Sequence, residues 1–195
     1  MHMRLFVVRH GETVGNVEKK HIGQNETPLT EKGKAQALKI RDVLAKFSFD
    51  RVYSSDLSRA IDTQRIALPG VEGIRTPLLR EFAVGSLGGK DFEEVRQILD
   101  GKRVMEIPGQ YKRFGGESDE DMAARLKEFL KMLEQDPCDN VIAFAHNGTL
   151  GVLLETILDV NINRIKVVSK NCAIHVFEYE NGVWKLVAWN YMGEI

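Results

Sequence analysis

Three short apolar runs in this chain each end in polar side chains suited to the same kind of chemistry. Leu5–Val8 runs into Arg9-His10-Gly11-Glu12-Thr13, Asp50–Tyr53 leads to Ser54-Ser55-Asp56-Leu57-Ser58-Arg59, and Asn140–Ala145 leads to His146-Asn147-Gly148-Thr149. Short apolar runs bounded by turn-forming residues read as buried strands. In an open α/β sheet, ligands sit at the carboxyl ends of parallel strands. If these three strands are parallel, two arginines and two histidines converge on one point. Arginine offers planar, paired donors that match phosphoryl oxygens, and each following helix adds backbone N–H groups and a positive dipole end. A neutral imidazole is a nucleophile at pH 7 without a separate base, and neighbouring Arg charges hold its pKa down. Gly11 and Gly148 remove a Cβ where backbone is expected to come close to a ligand. A single histidine at a strand end is more often a hydrogen-bonded structural residue. The expectation of phosphoryl transfer therefore rests on the convergence.

The elements that must position these groups follow from periodicity and caps. Thr30 is placed to cap a helix running to about Phe47, with Ala37, Ile40, Leu44 and Phe47 on one face. A second helix spans about Leu57–Leu68 and stops at Pro69-Gly70. Ser118, with Asp121 three residues on, starts a third, whose stripe is Met122, Leu126, Phe129, Leu130 and Leu133. Thr149–Leu158 follows the third strand as a helix. Ala173–Tyr179 and Val183–Trp189 read as a hairpin turning at Asn181-Gly182. Strand–helix alternation of this kind argues for an α/β sandwich with a mainly parallel sheet, organised as a single domain over 1–195. The stretch 84–116 is different: glycine-punctuated, with one short helical pattern near Asp91–Leu99, it is expected to lie as an insertion, or lid, over the site.

Bulk properties exclude several classes. The chain has 195 residues, 43% of them hydrophobic and 28% charged, with a formal net charge of -1, so no global field recruits nucleic acid or an anionic membrane. Its apolar runs are far shorter than the roughly 20 residues of a membrane span. Met1–Val8 has neither the basic start nor the cleavage site expected of a secretory signal. Cys138 and Cys172 give neither a disulfide framework nor metal-ligand spacing, which fits a reducing cytoplasm.

The motifs resemble those of the histidine phosphatase (phosphoglycerate mutase-like) superfamily. Val7-Val8-Arg9-His10-Gly11-Glu12-Thr13 with Asn16 is similar to its signature. Thr27-Pro28-Leu29-Thr30 with Gly33 and Gln36-Ala37 matches the next block, and Tyr53 through Ala60 with Thr63 the second arginine motif. Leu79-Arg80-Glu81 with Gly85, then Gly116-Glu117-Ser118, then Ala145-His146-Asn147-Gly148 continue the match in order along the chain. The resemblance implies a three-layer α/β/α sandwich around a mixed, mostly parallel sheet. It also implies a phosphohistidine formed on His10, whose other ring nitrogen is held by a backbone carbonyl. Arg9, Arg59 and His146 would bind the phosphoryl oxygens, and Asn16 would add a hydrogen bond. Gln24 and Asn147 would be further substrate contacts, and Glu81 the general acid and base. Gly15, Leu87-Gly88-Gly89 and Asn147 depart from the common pattern; the first two alter the wall near the substrate and none removes a catalytic group.

Two reactions share such a site. Mutases of the family usually carry Glu-Arg-x-Tyr in the acidic block, whereas this chain reads Glu81-Phe82-Ala83-Val84, and its length leaves no room for the long mutase insertion. Hydrolysis of phosphate monoesters is therefore expected, with phosphoglycerate mutase as the alternative and a non-catalytic phosphate-binding relative as a third. No cofactor is expected for hydrolysis, and 2,3-bisphosphoglycerate only for the mutase reaction. A metal site built from His10, His146 and Glu81 is disfavoured because two arginines would repel the ion. The expected partner is a small phosphorylated metabolite, handled by a monomer or homodimer. His21, in the loop after the first motif, is expected as a solvent-exposed loop residue, with a substrate contact as the other reading, and His175 as a structural residue. Lys90, Arg96, Lys102, Arg103, Lys112 and Arg113 read as solvated surface, with a basic rim for an anionic substrate as the other reading.

Overall fold

The computed structural model describes residues 2–107, 109–160 and 167–192; of the 84–116 stretch, Pro108 lies outside the described residues. Its centre is a six-stranded sheet: β1 (His2–Arg9), β2 (Arg51–Ser55), β3 (Ile74–Thr76), β4 (Asn140–Ala145), β5 (Ile174–Glu180) and β6 (Val183–Tyr191), in the order β3-β2-β4-β1-β5-β6. β3, β2, β4 and β1 run parallel, while β5 is antiparallel to β1 and β6 to β5. The mixed sheet thus places the carboxyl ends of β1, β2 and β4 along one edge. β3 carries only three residues and precedes Pro77, too short a run to show a period of two in the sequence.

The strands are buried on both faces because both faces are covered. Met3, Leu5 and Val7 of β1, with Val141, Ala143 and Ala145 of β4, enter one apolar cluster; Phe6, Val8, Ile142 and Phe144 enter the other. This period-two division is what a continuous apolar strand in a parallel sheet requires. Against the second face lie α2 (Glu31–Leu44) and α3 (Ser58–Ala67). Thr30 caps α2 by accepting the Gly33 N–H at 3.0 Å. The first face is covered by α5 (Asp119–Gln135) and α6 (Asn147–Leu158). A reciprocal Ser118–Asp121 box starts α5, and the expected stripe Met122, Leu126, Phe129, Leu130 and Leu133 is buried. Truncating Phe129, which is fully buried, to Ala would cost about 3–5 kcal/mol by the usual cavity rule.

Three features differ from the sequence expectation. Helix α6 starts two residues early, at Asn147, because its first-turn N–H groups find a partner outside the helix and so tolerate Gly148. A one-turn helix, α1 (Val14–Val17), follows the first motif, capped by Thr13. Finally, the 84–116 stretch covers the site's side of the molecule and is also part of the core. Around α4 (Phe92–Ile98) it buries Val84, Leu87, Val95, Leu99, Val104 and Tyr111 in the same cluster as α5 and α6.

Candidate active site

The parallel register of β1 and β4 pairs Arg9 with Ala145, so the residues that follow, His10 and His146, emerge side by side. Their ring centroids are 5.2 Å apart, and the His10 N–H donates to the Ala145 carbonyl at 3.0 Å. Arg59 comes from the first turn of α3, beyond the end of β2. All three strand ends therefore meet, as parallel strands demand.

Hydrogen bonds fix the tautomers of both rings. His10 Nδ1 lies 2.8 Å from the Gly11 carbonyl, which can only accept, so Nδ1 carries the proton and Nε2 the lone pair. His146 Nδ1 lies 3.2 Å from Arg59 Nε, which can only donate, so its proton sits on Nε2. That Nε2–H is buried with no partner among the described residues, and the same holds for Arg9 Nε. Two orphaned donors beside one imidazole lone pair form a built site for an anion, since buried donors otherwise go unpaired at a cost. Burial above all, then Arg59 and Arg9, holds the His10 pKa well below its usual value; burial and Arg59 do the same at His146. The sequence reading credited the arginine charges, but desolvation is the larger cause.

Both cations are held from behind. Arg59 donates Nη1 to the Asn25 carbonyl at 2.9 Å and Nη2 to the Gly23 carbonyl at 2.6 Å. Arg9 donates Nη1 to the Ser169 carbonyl. Ser169 in turn meets His175, whose Nδ1 accepts the Asn190 N–H at 3.3 Å and whose Nε2 lies 2.9 Å from Ser169 Oγ. His175 is thus buried and structural in its bonding, yet it ends two bonds from an active-site arginine.

Glu81 lines the same cavity as His10, from the loop after β3. Its Oε1 accepts the Phe82 N–H at 2.9 Å and its Oε2 the Gly148 N–H at 3.0 Å, the latter from the first turn of α6. Thr149 Oγ1 donates to the Arg80 carbonyl at 2.8 Å, tying the same loop to α6. Arg125 clamps it from α5, donating to the carbonyls of Leu78 and Glu81 while pairing with Glu117. The two glycines of the motifs serve this assembly rather than a ligand. A Cβ on Gly11 would lie 2.5 Å from the Gly33 carbonyl oxygen, and one on Gly148 would lie 2.2 Å from Glu81 Oε1.

Arg9, His10, Asn16, Arg59, Glu81 and Asn147 line one cavity of about 690 Å³, with His146 behind its wall. Asn16 commits Oδ1 to the Thr13 N–H and to Asn171 Nδ2, which leaves its amide nitrogen as the donor end. Gln24 does not line the cavity: its Nε2 donates to the Glu81 carbonyl at 3.0 Å and its Oε1 accepts from Arg80, so the structure uses it to hold the Glu81 loop. His21, expected at the surface, is half-buried, lines the cavity and packs edge-on against Phe92 at 4.7 Å. Asn171, which donates to the His10 carbonyl at 3.0 Å, and the Ser169 carbonyl were missed by sequence reasoning. Neither has a local pattern, and a backbone carbonyl has no identity in a sequence. Among the described residues no three His, Cys, Asp or Glu side chains are grouped to hold a metal ion, and no helix is long and apolar enough to cross a membrane.

Known proteins share this fold. The probable phosphoglycerate mutase GpmB of Cronobacter sakazakii is 29% identical over 96% of this chain and 90% of its own length, and that of Salmonella choleraesuis is equally similar. Among solved structures, a mycobacterial glucosyl-3-phosphoglycerate phosphatase in complex with VO3 superimposes with a TM-score of 0.88 at 28% identity, covering 96% of this chain and 98% of that one. The α-ribazole phosphatase of Shigella flexneri gives 0.85 at 25% identity, covering 97% of each chain. A family profile described as "Histidine phosphatase superfamily (branch 1)" matches residues 5–192, which contain every strand end, histidine and arginine of the site. The chain belongs to branch 1 of the histidine phosphatase superfamily.

Proposed function

We propose that this protein hydrolyses monoesters of phosphoric acid through a phosphohistidine on His10. One observation carries the reading: the His10 Nε2 lone pair is freed by the Nδ1–Gly11 hydrogen bond, and beside it lie two buried N–H donors, on Arg9 and His146, with no other partner. In the first step Nε2 attacks phosphorus, the P–O ester bond breaks, and the departing alkoxide takes a proton from the Glu81 carboxyl group. Arg9, Arg59 and the His146 Nε2–H stabilise the charge on the equatorial oxygens. In the second step water attacks the phosphohistidine, gives its proton to the Glu81 carboxylate, and the P–N bond breaks to release inorganic phosphate. Asn16 and Asn147 contact the bound ester, while Gln24 keeps Glu81 in place.

The substrate on this reading is a small phosphorylated metabolite, and the chemistry needs neither a metal nor a cofactor. The apolar Phe82 and Val84 in the cavity wall, where mutases of the family carry Arg and Tyr, support water as acceptor. The composition fits a cytoplasmic enzyme with no membrane or nucleic-acid partner, acting as a monomer or homodimer on this reading. The test is a phosphate-release assay on a metabolite panel, with and without EDTA, for wild type and His10→Ala. It runs beside trapping of an acid-labile, alkali-stable phosphoenzyme. Release and labelling lost together in the variant support the proposal. Release that survives in His10→Ala, or that EDTA abolishes, overturns it. Conversion of 3- to 2-phosphoglycerate faster than its hydrolysis would make the mutase reading, with 2,3-bisphosphoglycerate as its cofactor, the better one.

A further inference from the structure

The cavity that begins at the phosphoryl site continues beyond it. His21, Phe92, Arg103 and Tyr111 also line a second cavity of about 520 Å³, so the two share a wall. The floor of the second is Val95, Leu99 and Val104, all buried. Its rim carries Arg96, Lys102 and Arg103, and no carboxylate lines it. Arg103 is engaged with Glu106 at 2.8 Å, whereas Arg96 and Lys102 enter no ion pair among the described residues. The other cations of the 84–116 stretch are occupied: Lys90 with Glu94, Lys112 with Asp121, and Arg113 over the Phe114 ring. A further oddity lies at the junction, where Phe92 is 51% exposed although it packs on His21.

These features have a common explanation. The exposed Phe92 ring gains from covering by hydrocarbon, which would continue the buried apolar side chains beneath the cavity. The rim's three cations outnumber Glu106, the carboxylate that pairs with Arg103 and also interacts with Lys102, and the positive excess attracts an anion. We infer that the ester cleaved at His10 carries an extended alcohol portion. Its apolar body lies over Phe92, Val95 and Leu99, and a second anionic group, a carboxylate or phosphate, ends against Arg96 and Lys102. This inference rests on the monoester-hydrolase reading and adds the substrate class.

The experiment measures kcat/KM for p-nitrophenyl, ethyl, n-octyl and ω-carboxyoctyl phosphates at low and high salt. Wild type should prefer octyl over ethyl and carboxyoctyl over octyl, the second preference shrinking with salt. In the Arg96→Ala/Lys102→Ala double variant the carboxyoctyl-over-octyl ratio should fall about tenfold, as expected for losing a partly solvated charged contact. Phe92→Ala, a change at an exposed position, should instead lower the octyl-over-ethyl ratio. Wild type that cleaves p-nitrophenyl phosphate but ignores tail length and charge, or variants that leave both ratios unchanged, would overturn the inference and leave the hydrolase reading standing. Failure to cleave any of the four esters would remove both.

Discussion

Gly148→Ala tests the placement of the proposed acid at almost no cost to the fold. The added Cβ would lie 2.2 Å from Glu81 Oε1 and 2.7 and 2.9 Å from two carbons of the Phe82 ring, where ordinary contact begins at 3.4 Å. Glu81 is the flexible partner in that collision, so its carboxyl group has to retreat by about 1 Å, and a misplacement of that size costs on the order of 10² in rate. The backbone itself accepts the change, because Gly148 lies in the first turn of α6 and is not among the positive-φ residues. Ala gains about 1 kcal/mol over Gly in a helix interior. Set against crowding of Phe82, this leaves stability within about 1 kcal/mol of wild type. The assay compares kcat/KM for an alkyl phosphate and for p-nitrophenyl phosphate, with the melting temperature as control. Alkyl phosphate turnover should drop about 10²-fold, and p-nitrophenyl phosphate turnover much less, because nitrophenolate leaves without a proton. Equal losses on both substrates, or no loss on the alkyl ester, would refute the assignment of Glu81 as the acid held by α6.

Three further predictions concern protonation and the support behind Arg9. Protonation removes the His10 nucleophile, and its pKa is held well below the usual 6.5, so the acid limb of kcat/KM should lie below pH 6.5; a limb at or above that value would contradict the buried geometry. His175 is pushed down to about 3 by burial and Arg9. Below pH 6.5 the unfolded chain therefore binds a proton that the folded chain refuses, and stability falls as pH drops from about 6.5 toward 3. Wild type should lose about 1 kcal/mol more than His175→Gln between pH 7 and 5.5 in urea unfolding, and identical pH dependences would sink the point. In His175→Ala, the freed Ser169 segment should weaken vanadate inhibition and raise KM more than it lowers kcat; unchanged inhibition would show that Arg9 needs no such tether.

Much of the frame was legible because it is local. The α5 stripe repeats at helical spacing, Thr30 and Ser118 sit where caps must sit, and Asn181-Gly182 announces a turn in which both residues take positive φ. The two histidine motifs and the Arg59 motif could be read as strand ends because short apolar runs stop there. What the residues could not disclose is which way each polar group turns once packed. Gln24 looked like a substrate contact and instead braces the Glu81 carbonyl; His21 could be read as exposed or as a substrate contact, and it lines the cavity.

The sequence by itself determined the α/β alternation and the reactive side chains, since each depends on side-chain type and spacing within one element, while their convergence followed only once the parallel register of β1, β2 and β4 was known. Tertiary structure alone decided which nitrogen of His10 and of His146 is free, and what holds Arg9 and Glu81. The physical reason is that those choices are made by backbone carbonyls and N–H groups brought in from distant segments. Every residue carries such groups alike, so only the folded chain reveals which of them meet.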